Sequence, residues 1–172
     1  MVEEHLLVGL VVDCIAPTSP WASHAWLPAQ VLPAPPETPA WTLLARTPEK
    51  RRYYAGSFPV SLYSTETANY QTNLLAGPRL WVVLRPQGDE PPCEVVAVTA
   101  DPAEGEAFTE PGTDVVETVA MPPEIAAAII DFVQQHHVER PFFKRRRDSK
   151  EMDEFGPSTA AGATPPGRPA KE

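Results

Sequence analysis

The sequence has few cysteines and no long hydrophobic run. Cys14 and Cys93 are far apart and outside any C-x-x-C spacing, which favours structural thiols in a reducing cytoplasm, with a disulfide between them as the less favoured alternative. No stretch approaches the roughly 20 apolar residues that a membrane-spanning helix requires. Residues 6–12 are apolar but are interrupted by Gly9 and followed by Asp13, which indicates a strand rather than a signal peptide. We therefore expect a cytoplasmic protein with no membrane insertion.

Signatures of enzyme chemistry are also missing. Neither of the phosphate-binding patterns G-x-x-x-x-G-K-[ST] and G-x-G-x-x-G occurs, and the chain has only nine glycines. The hydrolase pattern G-x-S-x-G and the zinc-protease pattern H-E-x-x-H do not occur either. The sequence thus identifies no catalytic residue, no cofactor and no metal, and a non-catalytic protein is the expectation.

Acidic residues outnumber basic residues, and the imbalance is unevenly placed. The net charge is −9. Up to Phe143 there are seven Lys or Arg residues against eighteen Asp or Glu, whereas from Lys144 onward there are seven against five. An acidic body repels nucleic acid and anionic lipid, so no nucleic-acid partner is expected. The basic segment remains able to contact an acidic surface.

Hydrophobic patterning predicts an α+β fold. Seven prolines between residues 16 and 40 exclude a helix there and leave room only for short edge strands. Strands are predicted over residues 5–14, 26–32, 41–46, 52–63, 80–84, 95–100 and 114–120. Their connections are too short for βαβ crossovers, which favours a mainly antiparallel sheet or a partly rolled barrel of about seven strands. The predicted organisation is one α+β domain over residues 1–143, with a basic run and a disordered tail over residues 144–172.

Two helices are predicted between strands. The first begins with Ser64 or Thr65 as its cap and ends at Gly77-Pro78. Its side chains Tyr70, Leu74 and Leu75 are expected to face the core. The second begins at Asp101-Pro102-Ala103-Glu104, which combines a capping residue, a proline at the first helical position and a possible capping box, and it ends before Pro111-Gly112.

The closing C-terminal helix is amphipathic. It opens at Pro122-Pro123-Glu124 and ends before Arg140-Pro141. Its predicted apolar face is formed by Ile125, Ile129, Phe132 and Val133.

The sequence has four histidines, at positions 5, 24, 136 and 137. The alternative to a non-catalytic protein is a small metal- or ligand-binding module or enzyme that uses His24, His136 or His137. At ~100° per residue His136 falls about 20° from Ile125, so it is expected to point inward as a hydrogen-bonded core residue. His137 lies at the flank of that face. Zinc could in principle be held by His136, His137 and Glu139 with His24 or a cysteine, but adjacent histidines on a helix diverge and the spacing favours no metal.

Two segments are candidates for binding a protein partner. Large aromatic side chains in a proline-rich stretch either cover the edge of the core or form a recognition surface, and both readings stay open for Trp21 and Trp26. The other segment joins two apolar anchors to four cations, a composition typical of docking segments, although a solvated end is the simpler interpretation. It consists of Phe142, Phe143, Lys144, Arg145, Arg146 and Arg147.

Short stretches in a fixed order resemble a little-studied bacterial family, known as a domain of unknown function and found largely in proteobacteria. They are Ser19-Pro20-Trp21 with His24 and Trp26, Trp41-Thr42-Leu43, Tyr54-Ala55-Gly56, Glu66-Thr67 to Asn73-Leu74, Val82-Val83-Leu84-Arg85-Pro86, Val98-Thr99-Ala100, Met121-Pro122-Pro123, and Phe132-Val133 to Lys144-Arg145-Arg146-Arg147.

Genes of that family tend to lie beside genes for a molybdenum- or tungsten-dependent formate dehydrogenase, its iron–sulfur subunit and a maturation chaperone. The resemblance thus implies an accessory or assembly factor acting through protein–protein contacts. Its partner would be a formate dehydrogenase subunit or the chaperone. No catalytic residue is implied.

Overall fold

The computed structural model of the chain describes residues 1–87, 91, 93–110 and 112–138. These residues form seven strands and three helices, which confirms the predicted α+β class. In chain order the elements are β1 (Glu3–Ile15), β2 (Ala25–Leu32), β3 (Thr42–Arg46), β4 (Lys50–Tyr63), α1 (Thr67–Ala76), β5 (Arg79–Pro86), β6 (Cys93–Thr99), α2 (Pro102–Ala107), β7 (Val115–Ala120) and α3 (Pro123–His136).

The strands form two antiparallel sheets rather than one. The first has the order β2-β1-β4-β3 and the second the order β6-β5-β7. β1 lies between β2 and β4, as its nearly continuous apolar sequence predicts. Pro28 is accommodated because β2 is an edge strand and the β1–β2 register shifts beside Val12, the residue opposite Pro28. β3 and β4 form the predicted hairpin.

One hydrophobic core joins the two sheets, α1 and α3. Alternate residues of β1 enter it, among them Val8, Leu10 and Val12, and β5 contributes Leu80 and Leu84. Within the described ranges the sheets do not close into a barrel.

α1 departs from its prediction at its start and on one face. The helix begins at Thr67, and the hydroxyl of Ser64 accepts a hydrogen bond from the backbone N–H of Val2 instead of capping the helix. The prediction for Leu75 was wrong, because this side chain is 88% exposed. Leu75 lies about 140° around the helix from Tyr70, which is buried. Two polar residues, Thr67 and Asn73, share the buried face with Tyr70.

α2 begins as predicted, but its capping box is relayed through a threonine. The Asp101 carboxylate accepts a hydrogen bond of 2.8 Å from the N–H of Ala103. The Glu104 carboxylate accepts the hydroxyl proton of Thr99, and the Thr99 oxygen accepts the N–H of Asp101. The predicted acidic residue thus reaches the cap through one intervening side chain.

α3 confirms the predicted apolar face, since Ile125, Ile129, Phe132 and Val133 are all buried. The helix ends at His136, and Arg140-Pro141, the predicted stop, lies outside the described residues. With 14 residues α3 is the longest helix, and no helix in the described part of the chain has the length and apolar character needed to cross a membrane.

Candidate functional site

A row of four side chains crosses the first sheet at the end where β1 finishes and β4 begins. Cys14 on β1 pairs with Trp26 on β2 and with Arg51 on β4, and Arg51 pairs in turn with Arg46 on β3. Residues directly opposite each other in antiparallel strands project from the same face of the sheet. The register therefore places an indole, a thiol and two guanidinium groups side by side.

This row forms one wall of a two-lobed cleft, which we call the Cys14 cleft. Its larger lobe has a volume of about 400 Å³ and its smaller lobe about 210 Å³, and both are lined by Cys14, His24 and Arg51. The larger lobe is completed by Ser23, Trp26, Tyr53, Pro86 and Gln87. The smaller lobe is completed by Ala16, Arg46, Thr47, Pro48 and Lys50. Pro86, the last residue of β5, and Gln87 after it thus bring the second sheet to the cleft.

Packed aromatic rings make one side of the cleft apolar and rigid. Trp26 is only 7% exposed, and its ring centroid lies 5.8 Å from that of Trp41 in an edge-to-face arrangement and 5.9 Å from that of Tyr53. Such pairs stabilise by about 0.5–1.5 kcal/mol beyond the area they bury. Strand pairing with Cys14 places the Trp26 indole at the edge of the core, and its predicted partner-binding role stays a prediction.

The thiol in the cleft is not activated. Burial raises the pKa of Cys14 above its ordinary value, while the positive charge of Arg51 acts in the opposite direction. Burial also raises the pKa of Cys93 to about 11. Both thiols are free and buried, which agrees with the prediction of structural cysteines. An activated nucleophile needs the opposite shift, toward a lower pKa.

On the opposite face of the same strands, a carboxylate is held by two cations. Asp13 accepts hydrogen bonds from Arg52, at 2.7 Å and 2.9 Å, and from Lys50 Nζ at 3.2 Å. These bonds, first of all that of Arg52, hold the pKa of Asp13 below its usual value, although burial opposes them. The charge of Lys50 is therefore engaged at the rim of the Cys14 cleft.

The Asp13 cluster predicts a pH-dependent stability. We expect Asp13→Asn to lower the free energy of unfolding by about 2 kcal/mol at pH 7, because hydrogen bonds to charged groups are lost. A carboxyl with a depressed folded pKa stabilises fully above its unfolded pKa of about 3.9 and loses this contribution as pH falls through the folded pKa. Urea unfolding of the wild type and variant should therefore give a constant difference above about pH 5 that shrinks below about pH 4. The exposed Asp131→Asn is the control, and an equal effect there would contradict the assignment.

The histidines fall into two separate places. His24 is exposed and lines both lobes of the Cys14 cleft. His136 lies 3.8 Å from the Glu4 carboxylate, at the other end of β1 from Cys14. At about 3.3 Å per strand residue those ends are about 33 Å apart. A joint metal site of His24 with His136 is therefore wrong.

His136 and His137 fasten the end of α3. The His136 ring packs against Phe132 with centroids 4.7 Å apart, which agrees with its predicted position on the apolar face of α3. Its side chain is 22% exposed, however, and so is not enclosed in the core. His137 Nδ1 and the hydroxyl of the buried Thr67 lie 3.0 Å apart, in hydrogen-bond contact with the start of α1. In the described ranges no group of three or more His, Cys, Asp or Glu side chains is arranged to hold a metal ion, and Glu139 lies outside those ranges.

The other predicted partner-binding residues are Trp21 and the segment after α3. Trp21 is 95% exposed, in the turn that joins β1 to β2. That turn is closed by a 3.2 Å hydrogen bond from the N–H of Ala22 to the carbonyl of Ser19, with Pro20 inside it. Phe142, Phe143, Lys144, Arg145, Arg146 and Arg147 lie outside the described residues.

Comparison with known protein families gives a match over most of the chain. The family model described as "Protein of unknown function (DUF3305)" matches residues 7–147, which include most of β1, the residues of the Cys14 cleft and residues 142–147. No curated protein and no solved structure matches the chain.

Proposed function

We propose that this chain, which belongs to the DUF3305 family of proteins of unknown function, is a non-catalytic accessory or assembly factor that acts through protein–protein contacts. The observation that carries the proposal is the exposure of Trp21, which differs from the burial of Trp26 only five residues away. An exposed indole offers a large apolar area that a partner surface can cover, and tryptophan is enriched among the residues that dominate protein interfaces.

The turn that carries Trp21 is suited to contact a partner. Proline at the second position of a β-turn fixes the backbone before binding, so less conformational entropy is lost when the indole is covered. An aromatic side chain buries about 150–250 Å². At about 25 cal/mol per Å² this corresponds to a gross gain of about 4–6 kcal/mol, enough for Trp21 to dominate a small interface.

We propose that the chain assists a cytoplasmic formate dehydrogenase. Its partner would be a subunit of that enzyme or the maturation chaperone. This part rests on the resemblance to a family whose genes neighbour those of that enzyme. The basic composition of residues 144–147 adds support, since it suits contact with an acidic protein surface.

A binding comparison of two exposed apolar side chains tests the proposal. Tagged wild-type chain, Trp21→Ala and Leu75→Ala are expressed in the native host without its chromosomal copy, and the formate dehydrogenase subunits and chaperone that copurify are quantified by mass spectrometry. We expect Trp21→Ala to reduce recovery at least tenfold, since a central aromatic contact contributes about 2 kcal/mol or more. Leu75→Ala should leave recovery unchanged.

Both replaced side chains are solvent-exposed, so neither variant should change the free energy of unfolding by more than about 0.5 kcal/mol. Leu75 is the matched control because it is 88% exposed and lies on α1, outside the β1–β2 turn. Recovery of none of these proteins by the wild type, or the same recovery with Trp21→Ala, would overturn the proposal.

A further inference from the structure

The Cys14 cleft carries positive charge that the described part of the protein leaves unbalanced. Arg46, Lys50 and Arg51 line it together with His24, and none of its described lining residues is acidic. This is unexpected in a chain of net charge −9. The carboxylate of Asp13, the residue before Cys14 on β1, is engaged by Arg52 and Lys50, so the positive charge without a described partner is that of Arg46 and Arg51.

Within the described ranges, two guanidinium groups of the cleft have no ion-pair partner. Among the residues described, neither Arg46 nor Arg51 forms an ion pair, although Arg52 and Arg85 both do. Arg51 is half-buried beside Cys14, whereas Arg46 is exposed at the rim. A guanidinium presents a planar fork of N–H donors that matches the oxygens of a carboxylate or phosphate.

The rest of the cleft is suited to the apolar part of such a ligand. The Trp26 and Tyr53 rings and Pro86 line the larger lobe, and its volume of about 400 Å³ is in the range of small-molecule sites. The raised pKa of Cys14 keeps this thiol neutral near pH 7, so it does not repel an anion. The positively charged part of the cleft and its apolar part therefore meet at Arg51, which lines both lobes.

We propose that the Cys14 cleft binds a small organic oxyanion, with its carboxylate or phosphate group on Arg51 and Arg46 and its apolar or aromatic part against Trp26 and Tyr53. His24 and Ser23 supply further hydrogen-bonding groups at the same opening. The site does not depend on the protein-docking role of Trp21. Loss of anion binding and loss of partner recovery are measured separately, so either proposal can fail alone.

Four small probes separate the contributions of charge and ring. Isothermal titration calorimetry of the full chain at low salt is carried out with phenyl phosphate, benzoate, inorganic phosphate and phenol. We expect saturable binding of phenyl phosphate or benzoate, weaker binding of inorganic phosphate and no binding of the uncharged phenol. Tighter binding of phenyl phosphate assigns a phosphate ligand, whereas tighter binding of benzoate assigns a carboxylate.

Charge-matched variants then test the place of binding. Arg51→Ala should weaken the better probe about tenfold or more, because hydrogen bonds to a charged group are lost. Arg79→Ala removes the same charge from β5, where Arg79 Nε donates to the hydroxyl of Thr118, and should bind as the wild type does. If Arg51→Ala does not fold, Arg46→Ala at the exposed rim must weaken binding severalfold. Absence of saturable binding by any anion, or equal weakening in Arg79→Ala, would overturn the proposal.

Discussion

Replacing Phe132 by alanine is expected to lower the free energy of unfolding by about 3–5 kcal/mol, the usual cost of removing a buried phenylalanine. Phe132 is 2% exposed at the centre of the apolar face of α3. Its ring meets the buried Tyr70 ring of α1 edge to face, with centroids 6.3 Å apart, and also contacts His136. The substitution therefore opens a cavity where α3 is held to the rest of the core.

Ile130 is the matched control for Phe132, because it lies on the same helix but is 41% exposed. Urea unfolding should give a loss below about 1 kcal/mol for Ile130→Ala, since little apolar surface is uncovered. Equal losses for the two variants would contradict the assigned orientation of α3.

Replacing Asn73 by alanine is expected to cost about 3 kcal/mol, which is a large effect for a polar residue. Its side-chain amide donates to the carbonyls of Arg79 and Ala100, both at 2.8 Å, and its oxygen accepts the N–H of Arg79 at 3.1 Å. Each bond contributes about 1 kcal/mol, and the three backbone groups would lose their partner in a largely buried place. Asn73 thereby fastens α1 to the start of β5 and to the residue after β6.

Thr72 is adjacent on α1 but exposed, and its hydroxyl donates only to the carbonyl of Ala68 one turn earlier. Thermal unfolding of Thr72→Ala should differ from the wild type by no more than about 0.5 kcal/mol. Asn73→Asp should be destabilised nearly as much as Asn73→Ala, because a carboxylate cannot donate to two carbonyls. A stable Asn73→Asp protein would contradict the described hydrogen bonds.

The local sequence pattern was sufficient to predict the elements whose apolar residues form a continuous run or recur at a regular spacing. The apolar run of β1 predicted a central strand, and the spacing of Ile125, Ile129 and Phe132 predicted the buried face of α3. In both elements the residues that form the apolar pattern are also the residues that the hydrophobic effect buries, so the pattern alone indicates the buried face.

Long-range polar bonds could not be predicted in this way. Asn73 faces the core because its side-chain amide forms hydrogen bonds with backbone groups of Arg79 and Ala100. These partners are up to 27 residues away in the sequence. Leu75 was assigned to the core on its apolar character alone, although Asn73 and Tyr70 already occupy the inward face. Ser64, one of the two predicted caps of α1, instead accepts a hydrogen bond from the backbone N–H of Val2.

The Cys14 cleft was missed for a related reason. Cys14, Arg51 and Arg46 come from three strands, and only the register of the sheet brings them into one row. A shift of one residue would send Arg51 to the opposite face. The separation of Trp21 from Trp26 likewise depends on where the turn ends and β2 begins.

Formate dehydrogenase activity in the native host tests the central claim, an accessory role through Trp21, most directly. Cells that lack the chromosomal copy are supplied with the wild-type chain, Trp21→Ala or Leu75→Ala at equal protein levels, and activity is measured in extracts. We predict that activity falls in the deletion strain, returns with the wild type and with Leu75→Ala, and stays low with Trp21→Ala. Unchanged activity in the deletion strain, or full restoration by Trp21→Ala, would contradict it.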